Sequence, residues 1–387
     1  MASKNVEKII DSPPAVSILM PVYNGEPWLS QSLGSLLGQT MKNIEIICID
    51  DKSSDSSLKI LQEYKNKDSR IRVIVKEKNE GYTASHNVGL AMATGEYIGF
   101  VDQDDFVDLD FFEKLYNQAT ATNADIAKGK VRVVAYNGKE TNFGPSFADI
   151  KNNKAVFFTA FWSAIYRRDF IEKNKINFPA DLTITGDDVF LVKAVTLANK
   201  VELVEDTYYH YIRRKNSLFS EFLCVEKLES CVKAINRIVD FINNKVIDNR
   251  EAYNFIFGTW IEDLLYFKCT KSNTLEGYFV AIRGAIELFE KCKYKDDLKN
   301  KIGENYVNFL SKKDEVALLA DLLGRVNKVV CFELFGFIPV LKIIYKCDAI
   351  EVILFRCCPL LKISRKYDSD YYYLFYYIPF MKKKTAK

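Results

Sequence analysis

The sequence predicts an α/β fold, and two observations carry that expectation. Short apolar runs rich in branched and aromatic residues alternate with helix-patterned segments over the first third of the chain. Acidic clusters directly follow several of those runs. Strand–helix alternation implies a mostly parallel central sheet covered on both faces, and right-handed crossovers bring the strand ends to one edge. In order, Val16–Val22 reads as a strand and Trp28–Gln39 as a helix. Ile44–Ile49 is a strand, Ser56–Lys65 a helix, Ile71–Val75 a strand and Tyr82–Ala93 a helix. Tyr97–Val101 closes the series before the run Asp102-Gln103-Asp104-Asp105.

Beyond Val134 the pattern changes. Phe157–Ser217 is irregular and aromatic, with a helix running to Ala198 expected after the segment Thr185–Phe190. Glu221–Leu323 carries long helical stretches, in which Leu264, Leu265 and Phe267 and then Tyr278, Ala281, Ile282 and Ala285 fit helix faces. The tail holds a repeat. Leu334-Phe335, Leu354-Phe355 and Leu374-Phe375 are followed by Pro339, Pro359 and Pro379, spaced 20 residues apart, and then by Lys342, Lys362 and Lys382. A fixed period of this kind means copies of one small unit. The expected division is residues 1–220, an α-helical extension over 221–325 and the repeat tail over 326–387.

Composition narrows the function classes. The 387 residues are 48% hydrophobic and 27% charged, as in a folded protein long enough for two domains. A net charge of +3 gives no reason to expect a nucleic-acid partner. Met1–Pro14 lacks the apolar core of a signal peptide, and no uncharged apolar stretch is long enough to span a membrane. The nine cysteines include no Cys-x-x-Cys pair, so a reduced, cytoplasmic protein is expected. With only His86 and His210, a zinc site or histidine-based triad is poorly supported.

Three carboxylates at a strand end repel one another strongly in a dry interior. A hard divalent cation with oxygen ligands, itself holding a phosphate, balances them, and ligands of open α/β sheets bind at the carboxyl ends of strands. The same run also serves as an acidic loop with a cap for the helix near Phe111. Pro21-Val22-Tyr23-Asn24-Gly25-Glu26 reads as a turn, or as a loop stacking a nucleotide base on Tyr23. Asp50-Asp51 reads as a capping cluster, or as an acceptor for a pyrimidine N–H. In Thr185-Gly186-Asp187-Asp188, capping explains one acid and general-base work the second. No phosphate-binding glycine signature is present, which argues against P-loop and dinucleotide enzymes.

The ordered set Val16–Asn24, Ile49-Asp50-Asp51, Asn79-Glu80-Gly81, Gly95-Glu96-Tyr97 leading to Asp102–Asp105, and Gly186-Asp187-Asp188 resembles the family 2 glycosyltransferases of GT-A fold, over about Val16–Ser220. The resemblance implies a Rossmann-like catalytic domain, a UDP-sugar donor, Mg²⁺ or Mn²⁺, and inversion by a single displacement onto an acceptor hydroxyl. It implies donor binding by Pro21, Tyr23, Glu26, Asp51, Gly81, Asp102, Gln103 and Arg213. It implies metal binding by Asp104 and Asp102, with His210 as a further ligand or, equally, a packed strand residue. Asp188 becomes the catalytic base. Asp187 lies on the acceptor side, and Trp162 is either an acceptor wall or core.

Two departures stand out. The family usually has Glu-Asp where this chain has Asp187-Asp188, and often Arg where it has His86, which alters an expected phosphate contact. Arg213, Arg214 and Lys215 are either a loop closing over the diphosphate or a solvated basic turn. The expected acceptor is a glycan or lipid-linked saccharide of a cell-surface polymer. The expected site of work is the cytoplasm, at the inner face of the membrane if the aromatic and basic tail is interfacial. The alternatives are an inactive sugar-nucleotide-binding scaffold and a membrane-docking protein.

Overall fold

The computed structural model describes residues 13–135, 138–143, 160–214, 223–244 and 275–315, short pieces at 257–258, 261–262, 264–265, 272, 318–319 and 322, and six strands between Val330 and Lys383. The chain divides into two compact units, Met1–Ser220 and Glu221–Lys387.

The first unit is built on a nine-stranded sheet. Its elements are β1 Val16–Val22, α1 Leu29–Leu37, β2 Ile44–Asp50, α2 Ser57–Lys67, β3 Ile71–Val75, α3 Tyr82–Met92, β4 Tyr97–Phe100 and β5 Phe106–Val107. They continue with α4 Phe111–Thr122, β6 Ile126–Val134, β7 Glu140–Phe143, β8 Ala164–Arg167, α5 Arg168–Lys173, α6 Gly186–Leu197 and β9 Val201–Ile212. The strand order is β3-β2-β1-β4-β8-β6-β9-β5, with β7 on β6. Strands β3, β2, β1 and β4 pair in parallel. Every residue of β1 and β2 is buried, because helices cover both faces. Val16, Ile18, Met20 and Val22 pack with Leu29 and Leu33 of α1 and Phe111 and Phe112 of α4. Leu19, with Phe100 of β4, packs on the other side with Phe190 and Ala194 of α6.

The connections place the site. From β1 the chain winds outward through β2 to β3, then returns so that β4 lies on the opposite flank of β1. That reversal opens a crevice beyond the carboxyl ends of β1 and β4. The region read as irregular holds β8, α5, α6 and the twelve-residue β9. Glu202, Glu205 and Asp206 interrupt its apolar alternation, so the strand is hard to see in sequence. Past β4 the sheet becomes mixed, with β8 antiparallel to β4 and β6.

In the second unit, α7 Val225–Asn244 buries Leu228, Cys231, Ile235, Ile238 and Ile242, and α8 Leu275–Lys291 buries Tyr278, Ala281, Ile282, Ala285 and Phe289. These spacings form single helix stripes. Gly284 permits close approach, since a Cβ there would lie 2.5 Å from Val232 Cγ2. Helices α9 Lys299–Ile302 and α10 Glu304–Ser311 follow. Leu264 and Leu265 are buried, whereas Phe267 lies outside the described residues.

The tail strands are β10 Val330–Leu334, β11 Ile338–Lys346, β12 Ala349–Leu354 and β13 Lys362–Ser364 in one antiparallel sheet, and β14 Asp370–Phe375 with β15 Ile378–Lys383 in another. The repeat reappears in the pairing. Glu333 faces Pro339 after an irregularity at Phe332/Glu333, and Tyr373 faces Pro379 after one at Tyr372/Tyr373, two periods later. Proline lacks the N–H that a regular ladder needs, so it sits where the ladder is broken. Pro359 lies outside the described residues.

Candidate functional site

The crevice is lined first by the loop after β1. Pro21 falls beyond Leu19, the last β1 residue paired with β4, so its missing N–H lies where one flank of the strand is already free. Asn24 takes a left-handed conformation (φ 49°), which asparagine tolerates better than most residues. The backbone N–H groups of Asn24, Gly25 and Glu26 donate to Ser53 Oγ (3.1 Å), Ser57 Oγ (2.7 Å) and Asp55 Oδ2 (3.1 Å). Ser56 N–H donates back to Glu26 Oε2 at 3.0 Å. Glu26, expected at the donor, therefore braces the β1 loop against the β2 loop. Gln103 does similar work, its amide both accepting from Tyr23 N–H (2.9 Å) and donating to Tyr23 O (3.0 Å). Gly25 makes room, because a Cβ there would sit 2.3 Å from Gln103 Oε1. The Tyr23 ring remains 47% exposed over the crevice edge.

Asp51 is buried and accepts from Glu80 N–H (3.0 Å) and Gly81 N–H (2.7 Å), with Lys76 Nζ 2.6 Å from its Oδ1. It thus ties the Asn79–Gly81 turn to the end of β2. Gly81, at φ 88°, needs its missing side chain to make that turn.

The acidic run occupies the end of β4. Tyr82 Oη donates to Asp102 Oδ1 at 3.0 Å. Burial, then the charges of Asp104 and Asp187, push the Asp102 carboxyl up to about 7. Asp104 forms an ion pair with Arg214, whose guanidinium lies 4.0 Å over the Trp28 ring. Burial raises the Asp104 pKa and Arg214 opposes the rise. Asp105 is fully buried, accepting from Tyr209 Oη (3.0 Å) and Ile212 N–H (2.8 Å). Burial and the two neighbouring carboxylates hold its pKa well above the usual range. Asp105 does not cap α4, whose N-cap residue is Asp110; it joins the end of β4 to β9.

Asp187 and Asp188 sit half-buried in the first turn of α6. Asp187 is near enough for its charge to raise the pKa of both Tyr82 and Asp102. Gly186 lets α6 press on α3, since a Cβ would lie 2.6 Å from Thr83 Cγ2. Asp187 therefore stands near the acids of β4, and Asp188 follows it in the same turn of α6.

Three expected residues stand elsewhere. His210 Nε2 lies 2.7 Å from Asp108 Oδ1, and its ring stacks on Phe106 at 4.3 Å. Tyr209 and Tyr211 both contact Trp162, so His210 points to the opposite face of β9 from Tyr209, the residue that holds the acidic run. It does not converge with Asp102 and Asp104. The guanidinium at the acidic run belongs to Arg214; Arg213 is exposed and its N–H donates to Val134 O at 2.9 Å. His86 is fully enclosed rather than open to a phosphate. It is buried among Tyr82, Phe100, Phe161 and Phe178, with Nδ1 3.0 Å from Tyr82 O. Trp162 is half-buried against the two β9 tyrosines.

Burial pushes the His86 pKa from 6.5 down to about 3. Below pH 6.5 the unfolded chain takes up a proton that the folded one refuses, so stability is intact above that value and is lost as pH falls toward 3. At about 1.4 kcal/mol per unit, the loss from His86 between pH 6.5 and 5 is about 2 kcal/mol. Urea unfolding at several pH values checks this, and His86→Phe is expected to lack that part of the slope.

Among the described residues no group of three or more His, Cys, Asp and Glu forms a ready-made metal cage. Asp102 and Asp104 nevertheless suit a hard cation that takes its other ligands from substrate phosphate and water, as Mg²⁺ does with one or two carboxylates. Among the described contacts Arg214 pairs with Asp104 and its charge also reaches Asp102, while burial raises the pKa values of Asp102, Asp104 and Asp105. Lys76, Tyr82, Tyr209 and Trp28 are not marked by any motif. Their only sequence signal is proximity to the marked turns.

Comparison with known proteins follows the same outline. The family model for glycosyl transferase family 2 matches residues 17–178. The chain is 36% identical over 210 residues to the poly(ribitol-phosphate) beta-glucosyltransferase of Bacillus spizizenii, covering 52% of this chain and 32% of that enzyme. It is 30% identical over 223 residues to glycosyltransferase GlyG of Streptococcus pneumoniae, covering 52% of this chain and 72% of GlyG. It thus spans less than two thirds of the length of several curated relatives. The crystal structure of S. aureus TarS 1–349 in complex with UDP-GlcNAc superposes with TM-score 0.65 at 19% identity, over 89% of this chain and 98% of that one, a likeness of fold.

Proposed function

Since the chain belongs to glycosyl transferase family 2, we propose that it is an inverting glycosyltransferase that moves a sugar from a UDP donor to a hydroxyl of a glycan or lipid-linked acceptor in surface-polymer synthesis. The observation that carries this reading is the pair Asp102 and Asp104 at the end of β4, with Asp187 of α6 close enough for its charge to act on Asp102, beside the exposed Tyr23; Asp188 is the next residue of that helical turn. Tyr23 stacks the base. Asp51, already fixed by Lys76 and two N–H groups, keeps a lone pair for the base N–H. Asp102 and Asp104 would hold Mg²⁺ or Mn²⁺, which neutralises charge on the departing diphosphate when bound. Asp188 takes the proton from the attacking hydroxyl.

The test is UDP release across a panel of UDP-sugars with and without divalent cation. Release that needs neither Asp104 nor Asp188 sinks the assignment. Tyr23→Ala is expected to raise the donor KM with little change in kcat, by the roughly 1–3 kcal/mol that base stacking contributes.

Work at the inner membrane face is part of the proposal. No helix among the described residues is long and apolar enough to cross a membrane, so contact would be peripheral, through the tail strands bearing Lys342, Lys362 and Lys382. Flotation of the full chain with anionic liposomes, compared with a chain ending at Gly324, tests it.

A further inference from the structure

Arg214 is the one cation paired with the acidic run among the described contacts, and its setting is specific. Its guanidinium binds Asp104 and rests on the face of Trp28. Its Nε is buried with no hydrogen-bond partner among the described residues. The backbone leading to it is pinned, by Ile212 N–H to Asp105 Oδ1 (2.8 Å) and by Arg213 N–H to Val134 O (2.9 Å). The end of β9 is thus tied to Asp105, the neighbour of the Asp104 that Arg214 neutralises, and the side chain can change partner by rotation while its root stays in place.

We infer that Arg214 is an internal stand-in for the divalent cation: it occupies Asp104 while the donor is absent and passes to the diphosphate when metal and nucleotide arrive together. The inference rests on the reading of Asp102 and Asp104 as the metal holders. An arginine cannot lose its charge in a protein, so a free cation approaching Asp104 must displace a fixed positive charge in a poorly screened site. A nucleoside diphosphate removes that obstacle, because it gives the guanidinium a planar, bidentate partner. Trp28 supplies the platform from which the side chain moves, holding it by cation–π attraction. The consequence is thermodynamic coupling. Metal alone binds weakly, nucleotide alone binds weakly, and each strengthens the other by the same factor.

The experiment measures Mn²⁺ binding to the whole protein by electron paramagnetic resonance, with and without UDP, in wild type, Arg214→Gln and Arg214→Lys. Expected for wild type is a gain in Mn²⁺ affinity on adding UDP of roughly 5- to 150-fold, the usual span of coupling between sites. Arg214→Gln is expected to bind Mn²⁺ alone more tightly than wild type, to bind UDP more weakly, and to lose most of the coupling. Arg214→Lys keeps the charge without the fork and is expected to keep weak binding of free Mn²⁺ with partial coupling. Tryptophan emission of wild type is expected to change when Mn²⁺ and UDP are added together, and Trp28→Phe to lose that change. If Arg214→Gln, folded by circular dichroism, binds free Mn²⁺ no more tightly than wild type while wild type binds Mn²⁺ with UDP, the stand-in role is wrong and the metal site survives. If wild type binds no Mn²⁺ even with UDP, the metal reading fails and the inference falls with it.

Discussion

Asp188→Asn is expected to lower kcat for sugar transfer by roughly 10²- to 10⁴-fold, the contribution of a positioned general base, while UDP affinity stays within about twofold, since coupling beyond a lost proton acceptor is small for an isosteric change. The expectation comes from the division of labour between two elements. Asp102 and Asp104 lie at the end of β4, whereas Asp188 enters from the first turn of α6, in a different part of the chain. Removing the proton acceptor therefore leaves the donor side intact. Asn keeps the shape of the side chain, so a fall in kcat with unchanged UDP binding separates lost chemistry from lost folding. Full transfer activity in Asp188→Asn would remove it from the mechanism and return Asp187 as the candidate.

Phe190→Ala is expected to destabilise the first unit by about 3–5 kcal/mol, the range for deleting a buried phenyl ring. Phe190 is fully buried and stacks on Phe178 with ring centroids 4.3 Å apart and planes 4° from parallel. It also meets Phe100 at 5.6 Å, Tyr166 at 5.3 Å and Phe161 at 6.0 Å. Phe190 is two residues past Asp188, and Phe100 is two residues before Asp102. Their contact is packing that sets α6, which carries the proposed base, against the end of β4. Urea unfolding measures the loss, and Phe190→Leu, which refills part of the cavity, is expected to recover some of it. At permissive temperature the alanine variant is also expected to lose activity beyond its unfolded fraction, because Asp188 is then poorly held. A loss below about 1 kcal/mol would mean that α6 is held by other contacts.

Much of this arrangement is legible in sequence because charge beside an apolar run is costly and therefore informative. Asp51, Asp102, Asp104 and Asp187-Asp188 each follow or precede a buried segment, and the structure sets Asp187 close to Asp102. Tyr23 is legible as an aromatic residue in a turn. The functions of Glu26 and Gln103 are not, because a side chain that braces two loops and one that touches a ligand occupy the same kind of position in sequence. His86 is similar. Its place in a helix after Gly81 suggests a contact at the helix start, but only the surrounding rings of Tyr82, Phe100, Phe161 and Phe178 show that it is enclosed.

The winding of β1 to β4, the helical stripes of the second unit and the period of the tail can all be read along the chain, since all three are repeated patterns of residue type. Which side of β9 faces the acids is settled by its neighbours in the fold. A strand presents alternate residues to opposite faces, and its partners alone fix which set goes where. The pairing of β9 with β5 and β6 turns Tyr209 toward the end of β4 and His210 toward Phe106 and Asp108. The same register carries Arg214, rather than Arg213, to Asp104.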